Sequence, residues 1–542
     1  MSRRSGKRQE EKQRPLFRTV YWILFLLAIA VSVAIRVRLL AIPLERDEGE
    51  YAYAGQLLLE GVPPYKLAYN MKFPGVYAAY AIALALFGQT ATGVHIGLLF
   101  VNLATILLIF LLGRRLMDEM TGLAAASAYA VLSVSPSVLG FAGHATHFVV
   151  LPTLGALLAL LHPAQQRSPT MLCLSGALLG ISVLMKQPGI AFLFFGGAYL
   201  LWTAYRAGLS WKDILIQGWL FIGGAAIPIA VTFLLLWRAG VFGKFWFWTI
   251  DYARAYGTLT SLDWGRQYFF RNFPRVVGYG WLLWLAAGIG ITACAWQARM
   301  RPRALFLLGF FSFAFLALSA GFYFREHYFI LILPAIALLA GAAFTALTDL
   351  IPPRLKVAHF APLLFFAMAL AFPLIGERDF FFFLSPDVAL AKVYGINPFP
   401  ESIPVAHFID ERTGPGDAIA VLGSEPQIYF YSHRRAATGY IYTYPLMETH
   451  AYARQMQREM IQEIEKARPK ILVFISIPPS WIVYNRSDRT VLDWIDSYTR
   501  SSYTGIGLVN IFRNQPSQYY LPLRAAPAQL SPNRILIYER NS

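Results

Sequence analysis

The sequence predicts a polytopic α-helical membrane protein with a soluble α/β domain at its C-terminal end. Three observations lead there. Of 542 residues, 57% are hydrophobic and only 14% charged, against roughly 25% charged in soluble domains. The apolar residues gather in runs of about twenty, enough to cross roughly 30 Å of hydrocarbon at about 1.5 Å per residue. Beyond residue 376 the runs shorten, and β-branched stretches alternate with helical ones.

The net charge of +17 does not imply nucleic acid, because the basic residues stand in short clusters between apolar runs, the topology signal of membrane proteins. Cys173 and Cys294 both fall inside apolar runs, so no disulfide framework is expected.

Residues 1–18 hold seven Lys/Arg against two Glu and place the start of the first span, 19–40, in the cytoplasm. No small-residue cleavage site follows it, so it reads as a retained anchor. Arg36 and Arg38, in its last turns, are within reach of lipid phosphates at the outer surface or snorkel to it. The apolar stretch 76–88 is too short to span and reads as a juxtamembrane helix in a first outer loop, 43–92. Counting it as a span would turn Arg114-Arg115, Arg167, Lys212, Arg299-Arg301-Arg303 and Arg354-Lys356 outward, against the positive-inside rule. Ten further spans follow at about 93–113, 121–141, 146–162, 170–185, 188–205, 214–237, 275–296, 304–321, 328–347 and 359–375. The expected organisation is a basic N-terminus 1–18, a transmembrane module 19–376 and an extracytoplasmic domain 377–542. In that domain Ala418 to Leu422, Ile471 to Ile475 and Ile535 to Tyr538 read as strands of a partly parallel sheet, and 447–467 as a helix. It has no phosphate loop, nucleophile elbow or metal-ligand spacing, and Gly423-Ser424-Glu425-Pro426 reads as a turn.

The candidates for chemistry crowd the outward loops. Arg46-Asp47-Glu48-Gly49-Glu50-Tyr51 abuts the bilayer, where spans are otherwise nearly free of charge. An acid there can take a proton, bind a metal or cap a helix, and Asp47 with Glu50 reads equally as a capping box for a helix 48–60. Lys72, before the juxtamembrane helix, suits a phosphate as a compact point charge or serves as an interfacial anchor. The aromatic loop 238–274 reads as an interfacial belt or a platform for sugar or a polyprenyl chain. Arg325-Glu326-His327-Tyr328 sets ionisable groups at a membrane mouth. His144 and His147 have the spacing of two metal ligands but lack a third in their segment.

Taken in order, Asp47-Glu48, Gly61 to Tyr65, Lys72 with Pro74, Gly113-Arg114-Arg115-Leu116, Leu184 to Gly189 and Arg325 to Tyr328 resemble a family. It is that of the bacterial polytopic C-type glycosyltransferases, with protein O-mannosyltransferase-like proteins and the lipid A aminoarabinose transferase. The resemblance covers about residues 20–350. It implies the C-type glycosyltransferase fold and transfer of a sugar from a polyprenyl-phosphate donor to a lipid, glycan or protein acceptor on the outer face of the plasma membrane. Asp47 would be the base with Glu48 beside it, and Lys72, Arg325, Arg46 and Arg38 would bind donor phosphate. Tyr51, Tyr65, His147, Lys186, Glu326, His327 and Tyr328 would line the substrate site. Met71 and His147 stand where relatives often carry acids. No metal ligand is assigned and no cofactor is implied, while a divalent metal stays open. A transporter or flippase would place ionisable groups near the midplane, where this chain has essentially none. A sensor acting through 377–542 is the other alternative.

Overall fold

The structure, a computed structural model, describes residues 2–352, 360–513, 515–525, 527 and 529–541, with the backbone alone for 2–17. The predicted cluster Arg354-Lys356 lies outside the described residues. Among these residues six helical segments are long and apolar enough to cross a membrane: Arg18–Arg38, Ala91–Leu116, Trp211–Arg238, Leu262–Trp296, Arg301–Leu318 and Leu333–Leu350. Gly75–Phe87, Ala145–Leu160, Pro169–Met185 and Phe360–Gly376 are shorter apolar helices. The chain is therefore a mostly helical, multi-pass membrane protein.

Two predicted spans are interrupted. The run 121–141 is helical over Glu119–Leu132 and then passes into a tight turn at Pro136–Val138. Pro136 pushes Ser135 into extended backbone, and the Ser135 hydroxyl caps the turn by accepting from Ser137 N. In the region of 275–296, Gly278 adopts φ 39° and separates Leu262–Val277 from Trp281–Trp296.

The chain divides into two compact units. The first comprises Met1–Leu39, Leu98–Thr232 and Thr260–Leu384, and is held by helix packing through small residues. A Cβ added to Gly290 would lie 2.2 Å from Leu339 O, and one on Gly176 would lie 2.0 Å from Phe221 O. Glycine lets these backbones touch, which matters in lipid, where helices gain little from hiding apolar surface from one another. Arg36 does not reach for lipid phosphate. It is buried and donates to Ser133 O (2.9 Å) and Gly140 O (3.0 Å), tying down the turn after Glu119–Leu132.

The second unit comprises Leu40–Gly97, Phe233–Leu259 and Ser385–Ser542. Its sheet contains Ala418–Leu422 (β1), Arg435–Ala436 (β2), Ile471–Ser476 (β3), Tyr503–Ile511 (β4), Gln518–Tyr520 (β5) and Asn533–Arg540 (β6). The order is β2-β1-β3-β6-β4-β5, parallel from β2 to β3 and antiparallel beyond. β1 is an almost wholly buried apolar run, as a strand covered on both faces must be. In β6 only Ile535 and Ile537 are buried, two residues apart on one face. The predicted helix 447–467 is shorter, Ala453–Ala467. The His450 ring bonds Pro445 O and Tyr452 N, a local arrangement that competes with the helix. Its Met456, Met460 and Ile464, four apart, are buried.

Helix Arg46–Leu59 belongs to this second unit and is pinned to the strand-to-helix region after β1. Tyr53 stacks on Tyr429 with centroids 5.2 Å apart, and its hydroxyl accepts from Ala436 N at 2.8 Å. Gly49 makes the approach fit, since a Cβ there would meet Gln427 N and Cβ at 2.7 Å.

Candidate active site

The second unit gathers a set of charges at the start of helix Arg46–Leu59. The helix is capped by Glu45 and not by Asp47. Glu45 Oε1 accepts from Glu48 N at 2.9 Å while Glu45 N reaches back to Glu48 Oε2, which closes a capping box two residues earlier than predicted. Asp47 is thus relieved of capping. Glu48, expected beside the base, is committed to the cap and to His95 Nε2 at 3.1 Å, and is buried.

Asp47 and Glu50, three residues apart, lie on one helical face and share Lys72. Lys72 Nζ is 2.8 Å from Asp47 Oδ1 and 3.2 Å from Glu50 Oε2. The lysine is held in turn by aromatic rings: its Nζ lies 4.6 Å from the Tyr51 ring centroid, and Tyr65 OH donates to Lys72 O at 2.7 Å. The two carboxylates differ in surroundings. Glu50 is fully buried and accepts from Tyr77 OH at 2.6 Å and Asn70 Nδ2 at 2.8 Å. Asp47 keeps 15% side-chain exposure and accepts from Tyr442 OH at 3.0 Å. Burial raises the Glu50 carboxyl above its ordinary range, against the opposing pull of Lys72. Burial would lower Lys72, but Asp47 and Glu50 outweigh it, and the ammonium sits well above the usual lysine value. The cluster therefore combines a fixed cation, a buried acid and a partly exposed carboxylate.

Arg46, expected to bind donor phosphate, is spent within this unit. Its Nη2 meets Glu425 Oε1 at 2.8 Å and Asn397 Oδ1 at 3.0 Å, and its Nε donates to Ser424 O. The Phe399 and Tyr444 rings each lie 5.3 Å from its Cζ. A guanidinium so paired and walled by rings has no fork to offer a ligand. Tyr51 and Tyr65 are likewise buried and position Lys72 instead of forming an open platform. Trp248 of the aromatic loop is also core, stacked on Tyr69 at 5.8 Å.

The first unit holds the other predicted residues. Arg38 donates to Phe380 O at 3.2 Å and to Leu384 O, so this guanidinium too is an internal tie. Gly321, Phe322 and Phe324 all have positive φ (72°, 59° and 45°), a strained approach to Arg325 that Asn272 supports by donating to Phe324 O at 3.0 Å. After it, Glu326 opens a 3-10 turn, Glu326–Leu331. His327 stacks on His144 with centroids 4.2 Å apart, and on Tyr328 edge-on at 4.8 Å. Lys186 Nζ lies 4.0 Å from the Tyr328 ring centroid, and Arg325 Cζ 5.5 Å from that of Tyr323. His147 is buried in helix Ala145–Leu160, and the ring that pairs with His144 is His327.

Sequence reasoning missed Tyr442, Asn70, Tyr77 and Glu425 as partners, and it counted Glu50 among the acids of the outer loop without giving it a role in the site beyond capping. The spacing of Asp47 and Glu50 carried a signal, since acids at i and i+3 share a helix face. Tyr442, 395 residues from Asp47, carried none.

Comparison with known proteins agrees with this architecture. Residues 72–237 match the family model of dolichyl-phosphate-mannose-protein mannosyltransferases. Over 300 residues the chain is 28% identical to the undecaprenyl phosphate-alpha-4-amino-4-deoxy-L-arabinose arabinosyl transferase of Pseudomonas aeruginosa, a match covering 51% of each chain. The chain thus spans about half the length of the curated relatives it matches. In structure it is similar to ArnT from Cupriavidus metallidurans bound to undecaprenyl phosphate, with TM-score 0.60, 16% identity and coverage of 95% of this chain and 98% of that one. It is also similar to the oligosaccharyltransferase of Archaeoglobus fulgidus in complex with zinc and sulfate, with TM-score 0.51, 16% identity, and coverage of 92% and 72%. Its apolar helices and these relatives make it a multi-pass protein of the bacterial inner membrane. The chain has the C-type glycosyltransferase fold and is related to the aminoarabinose transferase.

Proposed function

We propose that the protein is a membrane glycosyltransferase that moves a sugar from a polyprenyl-phosphate donor to an acceptor on the outer face of the membrane, with Asp47 as general base. One observation carries the assignment of the base: of the two carboxylates sharing Lys72, Glu50 is sealed, whereas Asp47 keeps 15% side-chain exposure. The Pseudomonas arabinosyl transferase, named for undecaprenyl phosphate-linked aminoarabinose, and ArnT, bound to undecaprenyl phosphate, support the donor class.

The reaction is a single displacement. An acceptor hydroxyl or amine attacks C1 of the sugar as its proton passes to an Asp47 oxygen. The C1–O bond to phosphate breaks with its electron pair, and polyprenyl phosphate departs, inverting the anomeric centre. Lys72 and Tyr442 fix the Asp47 carboxylate for that proton transfer, which supplies about 10²–10⁴-fold. Arg325 keeps the donor-phosphate role that the resemblance implies, and Lys186, expected only to line the substrate site, is added to it as a second cation. Arg38 and Arg46 are withdrawn from that role, and Lys72, held by Asp47 and Glu50, serves the carboxylate instead. The topology proposed with this function has eleven spans, a cytoplasmic N-terminus and residues 377–542 outside. The extracytoplasmic face then receives the flipped donor.

The test is transfer itself. Purified protein in liposomes is given radiolabelled polyprenyl-phosphate sugars, and the label is followed into lipid, glycan and protein fractions. Label leaving the donor with release of one polyprenyl phosphate per sugar supports the proposal. Intact donor carried across the bilayer without cleavage would make the protein a transporter.

A further inference from the structure

In the first unit, a cavity of about 250 Å³ opens where four helix ends meet. Arg115 and Leu116 close Ala91–Leu116, Tyr199, Trp202 and Thr203 belong to Gly189–Arg206, and Arg303 precedes Ala304–Leu318. No carboxylate lines it. Arg115 is exposed and makes no hydrogen bond or ion pair among the described residues. Arg303 uses its Nε on Leu116 O at 2.9 Å. Behind the wall, Arg167 is only 8% exposed. It donates through Nη2 to the Thr203 hydroxyl at 2.9 Å, while its Nη1 has no hydrogen-bond partner among the described residues. Arg206 adds a fourth cation, its Cζ 5.9 Å from the Trp202 ring. The nearby acids are already engaged: Asp118 pairs with Arg299 and Glu119 with Arg18.

We propose that this cavity binds the phosphodiester headgroup of an anionic glycerophospholipid. Arg115 and Arg303 line the cavity without a facing carboxylate, with Arg167 behind the wall and Arg206 nearby adding positive charge, a set that selects an anion, and guanidinium forks match phosphate oxygens bidentately. The site sits at helix ends, and Trp202 and Leu305 are about half exposed, which gives the glycerol backbone and first acyl methylenes an apolar rim. Basic pockets between membrane helices use this chemistry for lipid headgroups. The site takes no part in the sugar transfer proposed above and does not depend on it.

The experiment is native mass spectrometry of the full chain released from a nonionic detergent. It is titrated with phosphatidylglycerol, with phosphatidylcholine of the same acyl chains, and with inorganic phosphate as competitor. Phosphatidylglycerol should occupy one site with at least roughly tenfold preference over phosphatidylcholine, and an Arg115→Ala/Arg303→Ala variant should lose at least roughly tenfold in affinity. If that variant is not monodisperse, Arg115→Ala alone carries the test, since its side chain has no protein partner to lose. Equal binding by wild type and variant would overturn the proposal, as would equal affinity for the two lipids. Displacement by inorganic phosphate at matched concentration would reassign the cavity to a soluble anion and overturn the lipid.

Discussion

At the scale of single residues, cations that look alike in the sequence have different duties. Arg46 is a structural tie, and Lys72 belongs to the proposed reactive cluster. Arg46→Ala would strip the buried Glu425 of its cation, and removing one partner of a buried pair costs about 3–5 kcal/mol. The expected result is a large drop in Tm in detergent, with donor binding reduced only in proportion to the folded fraction. Tyr442→Phe removes one hydrogen bond to a charged oxygen, worth about 1.5–3 kcal/mol. Steady-state kinetics should show kcat lowered roughly ten- to a hundredfold with thermal stability nearly unchanged. The pH profile follows from Lys72. Its protonated form is favoured in the folded protein, so the cation is lost only as pH rises through a pKa well above its ordinary 10.5. Activity should therefore show no Lys72-dependent alkaline limb below that value, and Lys72→Arg should leave the alkaline side of the profile unmoved. An alkaline limb that disappears in Lys72→Arg would contradict the account of the cluster.

At the scale of elements, glycines at the crossings decide how closely helices approach. Gly176→Leu would drive a side chain into Phe221 O, and Gly49→Ala would push helix Arg46–Leu59 off Gln427. Overpacking of this kind costs roughly 1–3 kcal/mol. Gly49→Ala should also lower transfer, because the displaced helix carries Asp47, and a melting curve beside an activity assay separates the two effects. The same helix shows where sequence reading reached its limit. Glu45 with Glu48 and Asp47 with Glu50 have identical spacing, so pattern alone cannot choose the cap. The choice is made by tertiary contacts: the Tyr431 hydroxyl accepts from Leu44 N at 2.8 Å, and His95 takes Glu48. The apolar helices, though not the number of spans, were legible because lipid demands long apolar runs. The breaks at Pro136 and Gly278 were not, since a hydropathy run does not report where a helix stops inside it.

At the scale of the whole molecule, composition and the order of motifs were enough to indicate the fold and the relationship to the aminoarabinose transferase. The candidate cluster was half legible. Asp47 and Lys72 stand out as charges beside apolar runs, whereas Tyr442 comes from a segment with no site motif of its own. The proposed topology is open to a direct check in a background with Cys173 and Cys294 replaced by serine. Lys66→Cys, Leu262→Cys and Thr449→Cys, all at exposed positions, should react with an impermeant maleimide in intact cells. Ser210→Cys and Arg301→Cys should react only after permeabilisation. Labelling of Ser210→Cys from outside would turn the proposed orientation over. The central claim is that Asp47 takes the acceptor's proton, and Asp47→Asn tests it most directly, because asparagine keeps the size and most of the hydrogen bonding but cannot serve as the base. Sugar transfer by the purified variant should fall by at least about 10²-fold, the low end for general base catalysis, while Tm and donor affinity stay close to wild type. An Asp47→Asn protein that transfers sugar at the wild-type rate would contradict the account and return the search for the base to Glu50 or Glu326.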